Sequence, residues 1–344
     1  MKIAVMAGGL SPERDVSLSS GSLIANALME AGHEVALADV YEGFEGEPRS
    51  RFRVAGSGEK YSFTIPAREP DLDEIRARNG NRRELVGAGV LELCRAADVV
   101  FVALHGAMGE NGQFQAVLDV NGIRYTGSGY AGCLLAMDKD ITKRLLVREK
   151  IPTADWIMFD CAKDSTGRIA AEIGYPCVVK PCACGSSVGV SIVGNEAELR
   201  AAIDYAKKYE SVILVEKKIE GREFSVGVLD GSALPPIEIV PKSGFYDYQN
   251  KYQGGLTEEI CPARLSAAET AKVQSLALAV HRALRLGGYS RVDFILDAAG
   301  TFWCLEANTL PGMTPTSLLP QEARAAGIGY TELCEKIAAM ATRA

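Results

Sequence analysis

The segment Arg291-Val292-Asp293-Phe294-Ile295-Leu296, a turn at Asp297–Gly300 and the run Phe302-Trp303-Cys304-Leu305-Glu306-Ala307-Asn308 read as a β-hairpin. With the tip at Ala299-Gly300, Asp293 lies opposite Glu306 and Arg291 opposite Asn308. Residues two apart share a face of a strand, so these four polar groups project together. Val292, Phe294, Leu296, Trp303 and Leu305 are then expected on the other face, in a core. Facing carboxylates repel and are costly to bury unless something pairs them. Two carboxylates and an amide oxygen make a donor set for a hard cation such as Mg²⁺, with phosphate oxygens completing its shell. The plain alternative is a solvent-facing salt bridge in which Arg291 compensates Asp293.

Phosphate chemistry has a second signal. Cys177-Val178-Val179-Lys180-Pro181 ends a buried strand in a lysine, and Cys182-Ala183-Cys184-Gly185-Ser186-Ser187-Val188-Gly189 follows as a small-residue loop. Such a loop lets backbone N–H groups close on phosphate oxygens while the lysine supplies a point charge. A tight hairpin with a snorkelling lysine would read the same way. Met137-Asp138-Lys139-Asp140 puts a lysine in the first turn of a helix, where the helix dipole disfavours it unless it answers an anion. Asn308 to Ser317 runs from the acidic hairpin into a helix expected to start near Pro315, a suitable place for a carboxylate or phosphate. Gly127-Ser128-Gly129-Tyr130-Ala131-Gly132 matches a dinucleotide-binding spacing, but lacks a convincing preceding strand and following acidic residue.

These groups need a scaffold, and the pattern supplies one. Residues 2–7, a helix over Ser19–Ala31 and a strand over His33–Val40 form a βαβ opening, with a buried parallel strand at Asp98–Leu104. Residues 42–89 are polar and read as an insertion, with a short alternating run at Lys60–Ile65. Further on come a helix at Asp138–Glu149, strands at Trp156–Phe159, Cys177–Lys180, Val188–Val193 and Val212–Glu216, and a helix at Glu196–Lys208. Strands at Glu223–Leu229 and Ile237–Val240 follow, and then a helix opening with the capping box Ser266-x-x-Glu269. The order predicts an α/β N-terminal domain (1–127), a central α+β subdomain (128–218) and a C-terminal α+β subdomain (219–344).

The 344 residues suffice for such a layout, and 47% hydrophobic with 24% charged residues is ordinary globular composition. A net charge of −7 without a basic run argues against nucleic acid as partner. No stretch approaches the length of a membrane span. Nine scattered cysteines and three histidines favour reduced thiols in the cytoplasm over a disulfide framework or a zinc site.

Taken together, the motifs resemble the D-alanine–D-alanine ligases, which have the ATP-grasp fold. The resemblance runs nearly end to end: Gly8-Gly9 with Ser11-Pro12-Glu13-Arg14-Asp15-Val16-Ser17; Ala103-Leu104-His105-Gly106 with Gly109-Glu110; Tyr125-Thr126-Gly127-Ser128-Gly129; Met137-Asp138-Lys139; Gly185-Ser186-Ser187-Val188-Gly189; Phe245-Tyr246-Asp247-Tyr248 with Lys251-Tyr252; Arg291-Val292-Asp293; Glu306-Ala307-Asn308-Thr309; and Pro311-Gly312-Met313-Thr314. It implies that Lys139 and Lys180 hold the α- and β-phosphates of ATP. Glu216, Lys217 and Ile219 would form the adenine hinge, with Glu223 on the ribose and Lys251 near the γ-phosphate. Asp293, Glu306 and Asn308 would ligate two Mg²⁺ ions, with Mn²⁺ as a possible substitute. Glu13 would anchor the first D-alanine with Ser186 and Tyr252, and His105 would line the substrate site. Ser317 and Leu318 would take the second carboxylate, and Arg291 with the Gly312 N–H would stabilise the oxyanion. The family also implies a lid, here 244–255, and a homodimer. Ala183 and Cys184 depart from the polar residues common in relatives, and Lys218 stands where an aromatic often packs on adenine. The alternatives are a D-alanine–D-serine ligase of the vancomycin-resistance type, a non-catalytic nucleotide-binding protein and, on the glycine match alone, an NAD-dependent oxidoreductase.

Overall fold

The opening strands lie as the alternation predicts. In the computed structural model, which describes residues 1–342 apart from 57, 59, 67, 69, 186, 187 and 243–256, β1 (Lys2–Ala7) lies between β2 (Glu34–Asp39) and β3 (Val99–Val102), all parallel. Apart from Lys2, β1 is buried along its length, as expected where both faces of a parallel sheet are covered. α1 begins at Arg14 rather than Ser19 and runs to Glu30. Its first turn escaped the apolar pattern because polar residues there bond inward: Arg14 donates to Gly9 O and Ser17 Oγ to Ala103 O, at 2.9 and 2.7 Å.

In the insertion, Lys60–Ile65 forms no strand; Tyr61 instead exchanges backbone hydrogen bonds with the Asn26 amide. A helix the pattern did not announce, α2 (Leu72–Arg78), is capped there by Asp71. α3 (Val90–Ala96) and α4 (Gln113–Val120) complete this part.

α5 (Tyr130–Met137) and α6 (Lys139–Arg148) follow, and they contribute Ala136 and Leu146 to the core of the C-terminal sheet. An antiparallel sheet of β4 (Trp156–Asp160), β5 (Cys177–Pro181), β6 (Ser191–Val193) and β7 (Val212–Lys217) has the order β4-β7-β5-β6. α7 (Thr166–Glu172) and α8 (Glu196–Ala206) close its core. β6 starts at Ser191 rather than Val188. Gly189 has φ +73°, a left-handed turn, and any Cβ there would meet Pro181 at 2.6 Å.

The last sheet has the order β11-β10-β8-β12-β13, with β9 (Ser232–Ala233) on β8. Its strands are β8 (Arg222–Leu229), β10 (Ile237–Pro241), β11 (Thr257–Ile260), β12 (Tyr289–Leu296) and β13 (Phe302–Asn308). α9 (Ala267–Ala283) has the predicted capping box, Ser266 with Glu269. Arg291 faces Asn308 and Asp293 faces Glu306, as expected, but the register shifts between Asp293 and Phe294. Leu305 is the extra residue, a β-bulge, so Phe302 and Cys304 enter the core, and Trp303 and Leu305 do not. α10 (Leu318–Ala325) starts at Leu318 with Ser317 as its cap position, not near Pro315. A turn closed by Ser317 N–H to Thr314 O, at 2.9 Å, occupies the residues before it. α10 and α11 (Tyr330–Met340) place Leu319, Ala323, Leu333 and Ile337 in the core of the first sheet. The C-terminal chain thereby folds back on the N-terminal domain.

Candidate active site

The bulge leaves the polar face of the hairpin intact. Asp293, 7% exposed, accepts four hydrogen bonds. Arg291 donates Nε to Oδ1 at 2.9 Å and Nη2 to Oδ2 at 2.8 Å, Ser225 Oγ donates at 2.8 Å, and Asn308 Nδ2 donates at 3.0 Å. Ser225 is there because β8 pairs with β12 in a register that sets it opposite Asp293. Across the site Lys139 Nζ, at the start of α6, lies 3.6 Å from Glu306 and donates to Cys184 O at 2.7 Å. That unfavourable helix position is answered by a carboxylate and a carbonyl. A small cavity among Glu110, Lys139, Gly185, Glu306 and Asn308 lies at this meeting point. Among the described residues no three His, Cys, Asp or Glu gather as metal ligands. An ion here would take two carboxylates, the Asn308 amide oxygen and oxygens of a bound ligand. That all-oxygen set fits Mg²⁺, which usually takes few protein ligands.

Deeper in, Lys180 Nζ is 2.5 Å and Lys143 Nζ 2.8 Å from the two oxygens of buried Glu216. Lys143 also donates to Thr153 Oγ1 at 2.8 Å and Ala154 O at 3.0 Å, while Thr153 donates to Cys304 O. The cluster thus ties α6 and the central sheet to β13, two residues from Glu306. Burial works to raise the Glu216 pKa, but the two ammonium groups bring it below its ordinary value. For Lys143, burial prevails over Glu216 and lowers the pKa. Beyond Glu216, Lys217 is exposed at the end of β7, with its N–H on Asp155 O at 2.9 Å. Ile219 is half-buried in the link to β8, where Glu223 lies opposite Ile239 and Ile295. These four residues therefore line the crossing between the central and C-terminal sheets.

The N-terminal domain reaches the same place. A Cβ on Gly185 would stand 3.6 Å from Glu13 Oε2 and 3.4 Å from Glu110 Oε2, and one on Gly106 would be 3.1 Å from Glu13 Oε2. Buried His105 lies 3.9 Å from Glu110, and its Nε2 has no hydrogen-bond partner. Burial acts against its charged form, yet Glu110, with Glu13 behind it, raises the imidazole above its ordinary value. On the far side, Gly312 packs so closely that a Cβ would meet Ser317 Oγ at 2.9 Å. Ser317 Oγ accepts from Thr314 N–H at 3.2 Å, and Leu318 is buried at the head of α10.

Ser186, Lys251, Tyr252 and the expected lid at 244–255 lie outside the described residues. Sequence reasoning passed over Lys143, Ser225 and Glu110 as site residues. Lys143 had a signal, since it is four residues after Lys139 and shares its helix face. Ser225 had none, because only strand pairing brings it to Asp293.

The family pattern described as "D-ala D-ala ligase N-terminus" matches residues 2–128, and "D-ala D-ala ligase C-terminus" matches residues 145–339. The chain is similar to the D-alanine–D-alanine ligase of Pediococcus pentosaceus, with 44% identity covering 98% of this chain and 96% of that one. It is 41% identical to the ligase of that name from Geotalea uraniireducens, over 99% of this chain and 95% of that one. The fold is similar to a crystal structure of D-alanine–D-alanine ligase from Bacillus anthracis complexed with ATP. There the TM-score is 0.77 and the identity 30%, covering 100% of this chain and 98% of that one.

Proposed function

The chain belongs to the D-alanine–D-alanine ligase family, and we propose that it joins two D-alanines at the cost of ATP to make the dipeptide of peptidoglycan precursors. The observation that carries this reading is the polar hairpin face. Arg291, Asp293 and Asn308 form one network beside Glu306, and Lys139 reaches Glu306 from α6.

A carboxylate is a poor electrophile, so the first D-alanine carboxylate attacks the γ-phosphorus and ADP leaves, giving an acyl phosphate. The protein's part is positioning and charge compensation. Lys139 and Lys180 hold the α- and β-phosphates, and Lys251 approaches the γ-phosphate. The adenine lies at Glu216, Lys217 and Ile219, and the ribose at Glu223. Because the Glu216 carboxylate is committed to Lys180 and Lys143, its hinge contact is assigned to the backbone. Mg²⁺ held by Asp293, Glu306 and Asn308 would neutralise phosphoryl charge; two ions are proposed, with Mn²⁺ an acceptable substitute.

Glu13, with Ser186 and Tyr252, holds the first ammonium, and His105 lines its pocket. Ser317 and Leu318 hold the second carboxylate. The second amine then attacks the acyl carbon, Arg291 and the Gly312 N–H stabilise the oxyanion, and phosphate leaves. A lid at 244–255 would keep water from the acyl phosphate.

We place the enzyme in the cytoplasm, where ATP is supplied and its nine free cysteines stay reduced. Among the described residues no helix is long and apolar enough to cross a membrane. A homodimer is supported by Val120, Tyr130, Leu134 and Val147, exposed apolar residues on the successive helices α4, α5 and α6.

Phosphate release from Mg·ATP with D-alanine, with D-serine or D-lactate added and L-alanine as control, tests the reading when products are weighed by mass spectrometry. D-Ala–D-Ala from D-alanine alone is expected. A product dominated by D-Ala–D-Ser would move the chain to the resistance type, and ATP binding without turnover would make it a non-catalytic binder.

A further inference from the structure

Lys180, Lys143 and Glu216 are all buried, at 7, 1 and 4% exposure, and an ammonium on each lysine gives the group two positive charges and one negative. Glu216 and Lys180 would be neutral as a pair. Val178 on β5 is the register partner of Glu216, and Lys180, two residues on, projects from the same face. Lys143 comes from α6, one turn after Lys139, and adds a buried charge that the pair does not need for neutrality. Its contacts identify it as an ammonium. Ala154 O only accepts, and the Thr153 hydroxyl gives its proton to Cys304 O at 3.0 Å, so both oxygens accept from Lys143, at 3.0 and 2.8 Å. A neutral amine would then turn its lone pair toward Glu216 Oε2, 2.8 Å away, and be repelled; an ammonium has a third proton for it. The Trp156 ring, with its centroid 5.4 Å from Nζ, also favours the cation.

We infer that Lys143 is a positioning residue that acts through Lys180: it answers one oxygen of Glu216, so that Lys180 keeps its charge for a phosphate group. Lys180 stands at the other oxygen, at 2.5 Å. With Lys143 in place the trio presents a net positive charge to an anion. Without it the full carboxylate cancels Lys180, and drawing that lysine toward phosphate would leave Glu216 buried with neither ammonium. The helix thereby serves the nucleotide twice, with Lys139 on the α-phosphate and Lys143 behind Lys180.

The inference rests on the assignment of Lys180 to the β-phosphate, and its test needs no turnover. Adenosine and ADP binding are measured by calorimetry at one Mg²⁺ concentration for wild type, Lys143→Met, Glu216→Gln and the double variant, with thermal unfolding alongside. The quantity read is the preference for ADP, the ratio of the two Kd values, because a general loosening of the cleft weakens both nucleotides. Lys143→Met should lower that preference roughly tenfold, the size expected of one unit charge acting at short range in a partly buried site. Adding Glu216→Gln to it should restore the preference, since the carboxylate that cancels Lys180 is then gone. An unchanged preference in Lys143→Met would overturn the inference, as would a double variant no better than the single one. If Lys143→Met does not fold, Glu216→Gln alone decides. It removes the negative charge while both lysines remain, so the preference should rise, and a value at or below wild type overturns the inference. A wild type that binds ADP no better than adenosine would overturn the Lys180 assignment and the inference with it, while the ligase reading keeps its own test in D-alanine turnover.

Discussion

Glu216 and Glu322 are the same residue type at the same depth, and the protein treats them in opposite ways. Glu216, in the central sheet, has a lysine on each carboxyl oxygen, and its pKa falls below the ordinary value despite full burial. Glu322, under the C-terminal sheet, has no ion pair among the described residues; burial raises its pKa well above the ordinary value, and Arg291 only partly offsets this. Burial alone does not set the charge of an acid. Partners do, and they decide whether a buried carboxylate keeps its charge. Glu216 joins α6 to the two ATP-grasp sheets, while Glu322 lies over Gly227, the register partner of Arg291.

The sharpest way to extend the contrast is a third carboxylate, Glu306, whose side chain is 28% exposed and faces the site. Glu306→Gln should lower turnover by on the order of a thousandfold while leaving the urea midpoint near wild type. Near-wild-type activity in a phosphate-release assay would sink the metal assignment. Next in size is Glu216→Leu, which leaves two lysines facing each other in a buried space. It should cost about 3–5 kcal/mol of stability, read by urea unfolding. A neutral result would remove the distinction drawn here. Lys143→Met keeps the Glu216–Lys180 pair and should cost less, about 1–3 kcal/mol. A larger loss than that of Glu216→Leu would mean that Lys143, not the glutamate, is the centre of the joint.

The smallest effect is a pH slope. The Glu216 contribution to stability is present above the ordinary carboxylate value and is lost as pH falls through its lowered folded value. Glu322 has the opposite sign: its folded state favours the proton, so its contribution is present below the ordinary value and lost as pH rises toward the raised one. The stability difference between Glu322→Leu and wild type should therefore widen from pH 4.5 to 8. A constant difference across that range in paired urea titrations would contradict it.

The hairpin was largely legible because two adjacent strands with a short turn leave little freedom, and Asp293 does face Glu306. The bulge at Leu305 was not legible. Alternation assumes one residue per position, and the extra one changed which of Trp303, Cys304 and Leu305 entered the core. The α1 start was missed for a related reason, since Arg14 and Ser17 are polar yet buried through hydrogen bonds across the fold. Of the residues that local motifs singled out, Lys139 and Asn308 meet Glu306 around one cavity, Asp293 accepts from Asn308, and Lys180 pairs with Glu216. Lys143 could have been read from helix spacing, but its glutamate lies 73 positions away on another element.

By itself, the sequence determined the alternation of strands and helices, the polar face of the hairpin and the identity of the groups that could handle phosphate and metal. These depend on period, turn chemistry and short range, all local quantities. Only the tertiary structure decided which carboxyl keeps its charge. That depends on whether a lysine or merely a glycine's empty space arrives from a distant strand, and local periodicity does not specify such a contact.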